Sequence, residues 1–444
     1  MPAETATVPE SHAGHKAGRR RWYQLLGPGL ITGASDDDPS GIATYAQAGA
    51  IFAYRMLWVL LFTLPMIAAI QEISARIGRV TGRGLAGNLR RYYSPWLVFP
   101  CVGLLLFANV INLGADVAAM GACAKLLFYR GSDLIYAAAL SLICVLLAVF
   151  VGYVNYSSYL KWLTAALLVY VGTAFFGHVN WRETLAGTLI PRLHWNRDEL
   201  SMLVAVVGTT ISPYLLFWQS SLETEEIKSK AADDRLKDSP DQARRQFERI
   251  RLDTYVGMTY SNLIGFFIML TLAVTVGSRG GGKHQIDSAA DAATALAQAI
   301  GLAGSGRLAA WLFSLGVIGT GMLAVPVLAG SAAYALSEIM GWEVGLNRKA
   351  SRAKGFYAVL TAATMLGLGM NLIPGINPIH ALVWAAIVNG IVAVPLMVVM
   401  MLMASNPKVM GKFAAVGSKL HIIGWVATAA MGLVALGMLA MIGG

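Results

Sequence analysis

The chain has 444 residues, 56% of them hydrophobic and 13% charged, with a formal net charge of +10 and a mean hydropathy of +0.60. So apolar a composition excludes an ordinary soluble enzyme of this length. Apolar runs of about 18 to 30 residues recur from end to end without strand-like alternation, and they predict an all-α protein of the bilayer.

In chain order, residues 1–21 are polar and end in a basic cluster, Lys16 and Arg19 to Arg21. With no apolar signal core before it, this stretch reads as a cytoplasmic tail. Eleven membrane spans follow, centred near residues 37, 67, 110, 144, 168, 213, 264, 322, 362, 391 and 431. Of the 34 lysines and arginines, 25 fall in the tail and in alternate loops on its side. This bias sets the tail in the cytoplasm and the C-terminus outside. It also assigns the positive charge to loops beside anionic lipid, with no nucleic-acid partner. Cys101, Cys123 and Cys144 lie in apolar spans without paired spacing and read as buried hydrophobes.

Span one holds Asp36, Asp37 and Asp38 followed by Pro39, with Gly33 ahead of them. Span six has the same design, Thr209, Thr210, Ser212 and Pro213 with Gly208 ahead. Proline removes a backbone donor and glycine tolerates non-helical dihedrals, so both spans are expected to break at mid-depth. Two broken spans five apart predict a five-plus-five inverted repeat, residues 22–180 and 200–403, followed by a peripheral eleventh helix at 419–443. Backbone groups freed at the breaks must face protein, water or a solute, and a carboxylate there marks a functional site. Asp38, directly before the proline, is the leading ligand for a cation. Asp36 and Asp37 lie about 100° apart on a helix wheel, so at most one shares its face.

Within the polar segment 226–252, Ser239, Pro240 and Gln242 have capping-box spacing for a short cytoplasmic helix. The alanine-rich stretch 287–306 reads as an external surface helix. Gln219, Glu223, Glu225 and Glu226 read as a solvated helix end, with an inner vestibule as the sharper alternative. Asn109, Asn112 and Asn389 are candidates for the solute path or for helix-helix hydrogen bonds. His380, alone at the outer start of span ten, reads as an interface residue.

These motifs resemble the NRAMP family of divalent metal transporters, whose fold is LeuT-like. Gly27-Pro28-Gly29, Asp38-Pro39-Ser40-Gly41, Ala115-Asp116-Val117-Ala118-Ala119 and Thr209-Thr210-Ile211-Ser212-Pro213-Tyr214 stand in the register of the family's first, third and sixth spans. By position the resemblance makes Asp38 the ligating aspartate. The family's asparagine is Gly41 here, its methionine Ser212, its carbonyl-donating alanine Thr209, its sixth-span histidine Tyr214 and its third-span glutamate Ala119. Thioether sulfur favours soft transition metals, and losing it leaves carboxylate, hydroxyl and carbonyl oxygen: Asp38, Asp36, Ser40, Gly41, Thr209 and Ser212, with Asp37 as a second carboxylate.

That set suits a hard cation, Mg2+ or Mn2+, and also admits a monovalent ion; the expected cargo is a divalent cation carried inward by alternating access without an organic cofactor. The resemblance implies a proton or gating relay of Asp116 with the basic start of span nine, Arg348 and Arg352 among others. Tyr214 is a poor substitute for histidine, because its ordinary pKa is about 10, and proton coupling stays open. Two other readings remain at this point: an ion-coupled carrier of a small organic solute, and a non-transporting membrane sensor.

Overall fold

The computed structural model describes residues 28–151, 167–176, 179–229, 233–277, 285–299, 306–346 and 348–443. The tail at 1–21, Gly27, Lys161 and the first part of span five lie outside the described residues. In chain order the helices are α1 (Pro28–Asp36), α2 (Pro39–Phe52), α3 (Leu57–Thr81), α4 (Leu85–Tyr92), α5 (Pro95–Phe128), α6 (Asp133–Leu146), α7 (Leu168–Phe176) and α8 (Trp181–Leu189). There follow α9 (Arg197–Thr210), α10 (Pro213–Ser229), α11 (Ala243–Leu272), α12 (Ala289–Ala299), α13 (Gly306–Met340), α14 (Lys354–Met370), α15 (Pro378–Ser405), α16 (Pro407–Met410) and α17 (Lys419–Gly443). No strand occurs among the described residues.

Proline sets both breaks. The residue before a proline is driven out of the helical region, and proline itself fits the first turn of a new helix, where no amide donor is needed. So α1 stops at Asp36 and α2 restarts at Pro39; α9 stops at Thr210 and α10 restarts at Pro213. Asp38 is extended (φ −69°, ψ 168°) and Ile211 is likewise non-helical (φ −110°, ψ 64°).

Eight helical runs among the described residues are long and apolar enough to cross a membrane. One of them, Pro39–Thr81, joins the second half of span one to span two through a turn at Ala53 (φ 49°). Span five is described only in part, and span nine is the 17-residue α14, about 26 Å long.

The packing carries the symmetry expected of two repeats five spans apart. Span one (α1, α2) lies on span seven (α11), and its counterpart span six (α10) lies on span two (α3). Spans three and eight, α5 and α13, pack against each other. The last helix, α17, rests on α3, α9 and α15 and exposes Leu433 and Leu436 on its outer side. Trp96, Phe99, Phe107, Phe150 and Trp384 are likewise exposed, as lipid-facing side chains are.

Several connecting regions differ from the sequence-based expectation. Ser239 makes no capping bond to its own helix, and its hydroxyl lies 3.2 Å from Asp234 Oδ2. A 3-10 turn at Pro240–Gln242 runs straight into α11, so the expected short helix is the lead-in to span seven. The alanine-rich segment is a surface helix on one face only, where Ala290, Asp291, Thr294 and Gln298 of α12 are exposed. Six alanines and Leu296 of α12 are buried, because small side chains let the helix settle onto α13 and α5. Gln47 pins the segment before it, accepting from Ile286 N at 2.8 Å, and His380 Nε2 meets Asp287 Oδ1 at 3.0 Å.

At the opposite end, Glu223 is buried rather than solvated. Arg249 of α11 holds it at 2.5 Å and Glu226 at 2.9 Å, while Arg79 holds Asp233 at 2.6 Å. Removing one partner of a buried pair leaves an uncompensated charge, at a cost of about 3–5 kcal/mol. Arg249→Gln is therefore expected to lower the unfolding temperature of the detergent-solubilised protein by several degrees, with little change on adding salt. An unaltered melting curve would mean that this cluster contributes no stability.

Candidate cation site

Both breaks meet in one buried place. Asp38 caps α2, its Oδ1 accepting from Gly41 N at 2.7 Å and from Ser40 Oγ at 3.0 Å. Its Oδ2 accepts from Asn112 Nδ2 of α5 at 3.0 Å and from Tyr214 OH of α10 at 3.3 Å. The same tyrosine hydroxyl lies 3.4 Å from the Ser35 carbonyl. Asn389 Nδ2 of α15 donates to Asn112 Oδ1 at 3.3 Å. Spans one, three and six thus converge on a single carboxylate that is 1% exposed, and span ten is linked to it through Asn112.

The other aspartates divide. Asp36 and Asp37 turn toward α11 and share one hydroxyl, Ser261 Oγ, at 2.6 and 3.0 Å. One hydroxyl carries one hydrogen, so it donates to only one of them at a time. Among the described residues the remaining oxygens, Asp36 Oδ1 and Asp37 Oδ2, have no hydrogen-bond partner, and Asp116 is approached only by the Ser40 backbone. Asn112 and Asp116 stand one turn apart on α5 and so present the same face to span one. No lysine or arginine forms an ion pair with any of the four carboxylates among the described residues. Buried carboxylates without a cationic side chain call for a bound cation or a proton.

Around them the donors are oxygen. Thr209 Oγ1 is buried, lacks a hydrogen-bond partner among the described residues and faces Gly41: a Cβ added at Gly41 would lie 3.2 Å from it. Ser212 turns its hydroxyl back onto the end of α9, within donating distance of the Gly208 and Thr209 carbonyls at 3.0 and 2.8 Å. It thereby caps a half-helix whose negative dipole end favours positive charge. Asn389 Oδ1 is also without a partner. Among the described residues no three His, Cys, Asp or Glu side chains form a ready-made metal cluster. A cation at Asp38 therefore has to draw on hydroxyl, amide and main-chain oxygens.

The remaining sequence candidates lie elsewhere. Gln219 sits below the break on α10 and accepts a hydrogen bond from Thr32 of α1, tying the two half-helices together. Arg348 is half-exposed and reaches Glu343 at 3.5 Å, and Arg352 is exposed on the loop before α14; neither pairs with Asp116. Asn109 bridges helices, donating to Leu328 O and Ser331 Oγ. Ser261 and the Ser35 carbonyl went unnoticed in the sequence. A serine inside an apolar span carries little signal, and a carbonyl carries none.

Gly33 and Gly208 also have another role than expected. Both remain inside helices, and both permit backbone contact: a Cβ on Gly33 would lie 2.3 Å from Gly257 O, and one on Gly208 2.3 Å from Ala386 O. Loss of helix at the breaks follows from the prolines alone.

Comparison with known proteins agrees with this architecture. The Divalent metal cation transporter MntH of Acidiphilium cryptum is 26% identical over 426 residues, covering 94% of this chain and 91% of that protein. The manganese transporter of Eremococcus coleocola, solved with an aromatic bis-isothiourea compound, superposes with a TM-score of 0.73 at 17% identity, covering 99% of this chain and 90% of that one. MhsT, solved with L-phenylalanine, superposes with a TM-score of 0.63 at 14% identity, covering 95% and 100%. These likenesses establish the LeuT-like fold. Residues 29–441 match the family described as natural resistance-associated macrophage protein-like. With that match spanning nearly the whole chain, this integral membrane protein belongs to the Nramp family of metal ion transporters, which are not enzymes.

Proposed function

We propose that the protein carries a divalent cation across the membrane by alternating access, with Asp38 as the carboxylate that receives it and Mg2+ or Mn2+ as the favoured cargo. One observation carries this reading: Asp38 stands where two broken helices meet, buried, within reach of oxygen-bearing side chains from three spans and, among the described residues, without a basic partner. The names of the relatives support a divalent metal as cargo. Hard cations prefer an all-oxygen shell and keep part of their water, which suits hydroxyls and amides better than a thioether would.

Asp38, Thr209 and the carbonyls beside the breaks form the inner shell in this reading. Ser40, Gly41 and Ser212 shape it by capping the half-helices, Asn112 and Asn389 orient the carboxylate, and Asp116 takes a proton when the cation leaves. Asp36 and Asp37 form a separate acidic pair toward span seven. The bond between Thr32 and Gln219 closes the path on the side of the tail, which faces the cytoplasm, and α12 covers the outer side.

Uptake into proteoliposomes tests the proposal. Mg2+ and Mn2+ are expected to enter and to compete with each other, Cd2+ to compete poorly, and a panel of amino acids to be ignored. Amino-acid uptake without divalent flux would overturn the reading in favour of an organic-solute carrier. Binding with no flux of any solute would favour a sensor. Restoring sulfur by Ser212→Met is expected to raise Cd2+ uptake relative to Mg2+ about tenfold, because a soft donor enters at the break. An unchanged ratio of the two ions would show that Ser212 does not face the cargo.

A further inference from the structure

We infer that the seam between α4, the end of α10 and the end of α13 binds a phosphate-bearing anion, at a site separate from Asp38. A cavity of about 420 Å3 opens there, lined by Arg83, Arg90, Arg91, Lys228, Glu338 and Trp342. It falls within the size range of small-ligand sites. Four basic side chains face one carboxylate, and that carboxylate is already engaged: Glu338 Oε1 accepts from Gly84 N at 3.1 Å and Oε2 from Gly87 N at 2.7 Å. None of the four basic residues forms an ion pair among the described residues.

The walls are shaped for this. Arg90 Nη1 donates to the Glu338 carbonyl at 3.3 Å, which holds the guanidinium at the rim. Gly341, at φ +76°, leaves room for it, since a Cβ there would lie 2.7 Å from Arg90 Nη1. Guanidinium forks match phosphate oxygens in pairs, lysine adds a point charge, and a half-exposed tryptophan at the mouth suits the lipid headgroup layer.

Basic cavities of this kind take acidic phospholipid headgroups, and the same chemistry accepts a soluble phosphate ester. The cavity joins α4 of the first repeat to α10 and α13 of the second. A bound anion therefore ties the repeats together on this face and favours the conformation in which the face is closed.

Binding to the full-length protein in detergent, measured by titration calorimetry, tests the inference independently of transport. The probes are dioctanoyl phosphatidylglycerol, glycerol 3-phosphate and, as neutral comparison, dioctanoyl phosphatidylcholine. At least one of the two anionic probes is expected to bind saturably and phosphatidylcholine not to. The triple variant Arg83→Gln, Arg90→Gln, Arg91→Gln is expected to weaken binding about tenfold or more, and Lys228→Gln alone about threefold. A matched triple elsewhere, Lys408→Gln, Lys412→Gln, Lys419→Gln, is expected to keep affinity within about twofold. Binding of phosphatidylglycerol alone assigns the lipid as source; equal binding of glycerol 3-phosphate assigns the soluble ester. No saturable binding, or equal weakening by both triples, would overturn the inference and leave only a diffuse surface potential.

Discussion

Asp38→Asn is expected to abolish divalent cation transport while leaving the protein folded. Asparagine keeps the size of the side chain, and its carbonyl can still accept from Gly41 N and Ser40 Oγ, so α2 keeps its cap. Its amide, however, would point at Asn112 Nδ2 and Tyr214 OH, two groups that now donate to Asp38 Oδ2. Leaving those donors without an acceptor costs about 1–3 kcal/mol of stability.

The loss of binding is larger. At an effective dielectric of about 20, one unit charge acts on another 4 Å away with about 4 kcal/mol, and on a divalent ion with about twice that. If a third of this survives the cost of dehydrating the ion, affinity falls about 100-fold. Calorimetric titration of Mn2+ and a proteoliposome uptake assay measure it. A variant that melts like the parent and transports at the parent rate would remove Asp38 from the mechanism. Asp38→Ala is the less clean choice, because it also deletes the helix cap, worth about 1 kcal/mol.

The second large effect is expected at Gly33→Ala. The added carbon would lie 2.3 Å from Gly257 O and 2.4 Å from Gly257 C, and these are backbone atoms of α11 that cannot rotate away. The half-helix α1 would have to lift off span seven, displacing Asp36 and Asp37 from Ser261. Overpacking of this kind costs about 1–3 kcal/mol or more. Less protein should survive heating as a single peak in size-exclusion chromatography. Gly208→Ala, which meets Ala386 O and Gly390 N at 2.3 and 2.5 Å, should behave alike. Gly369→Ala supplies the control, since nothing lies within 4 Å of its added carbon at this exposed position of α14. That change should be neutral or slightly stabilising. Equal behaviour of all three variants would mean that the close contacts do not limit stability.

The breaks at Pro39 and Pro213 were legible in the sequence because proline acts locally: its ring and missing amide dictate where a helix ends, whatever surrounds it. Asp38 was legible for the same reason, lying next to one of them. The roles of Gly33 and Gly208 were not, since a glycine that unwinds a helix and one that admits a neighbouring backbone look identical in sequence. Burial of Glu223 was also hidden. A charged helix end is commonly solvated, and it is Arg249, 26 residues further along the chain, that buries this one. A helix wheel indicates that the three aspartates diverge. Which of them faces span seven depends on the turn at Asp37 and Asp38, outside any regular wheel.

The glycine contacts have a mechanical consequence. Two helices whose side chains interlock must disengage their ridges before one rolls over the other. Where Gly33 lies on Gly257 and Gly208 on Gly390, no teeth stand between the paired backbones. Such a contact is a smooth bearing: a half-helix tilting on it would travel little at the contact and sweep widest at its far tip.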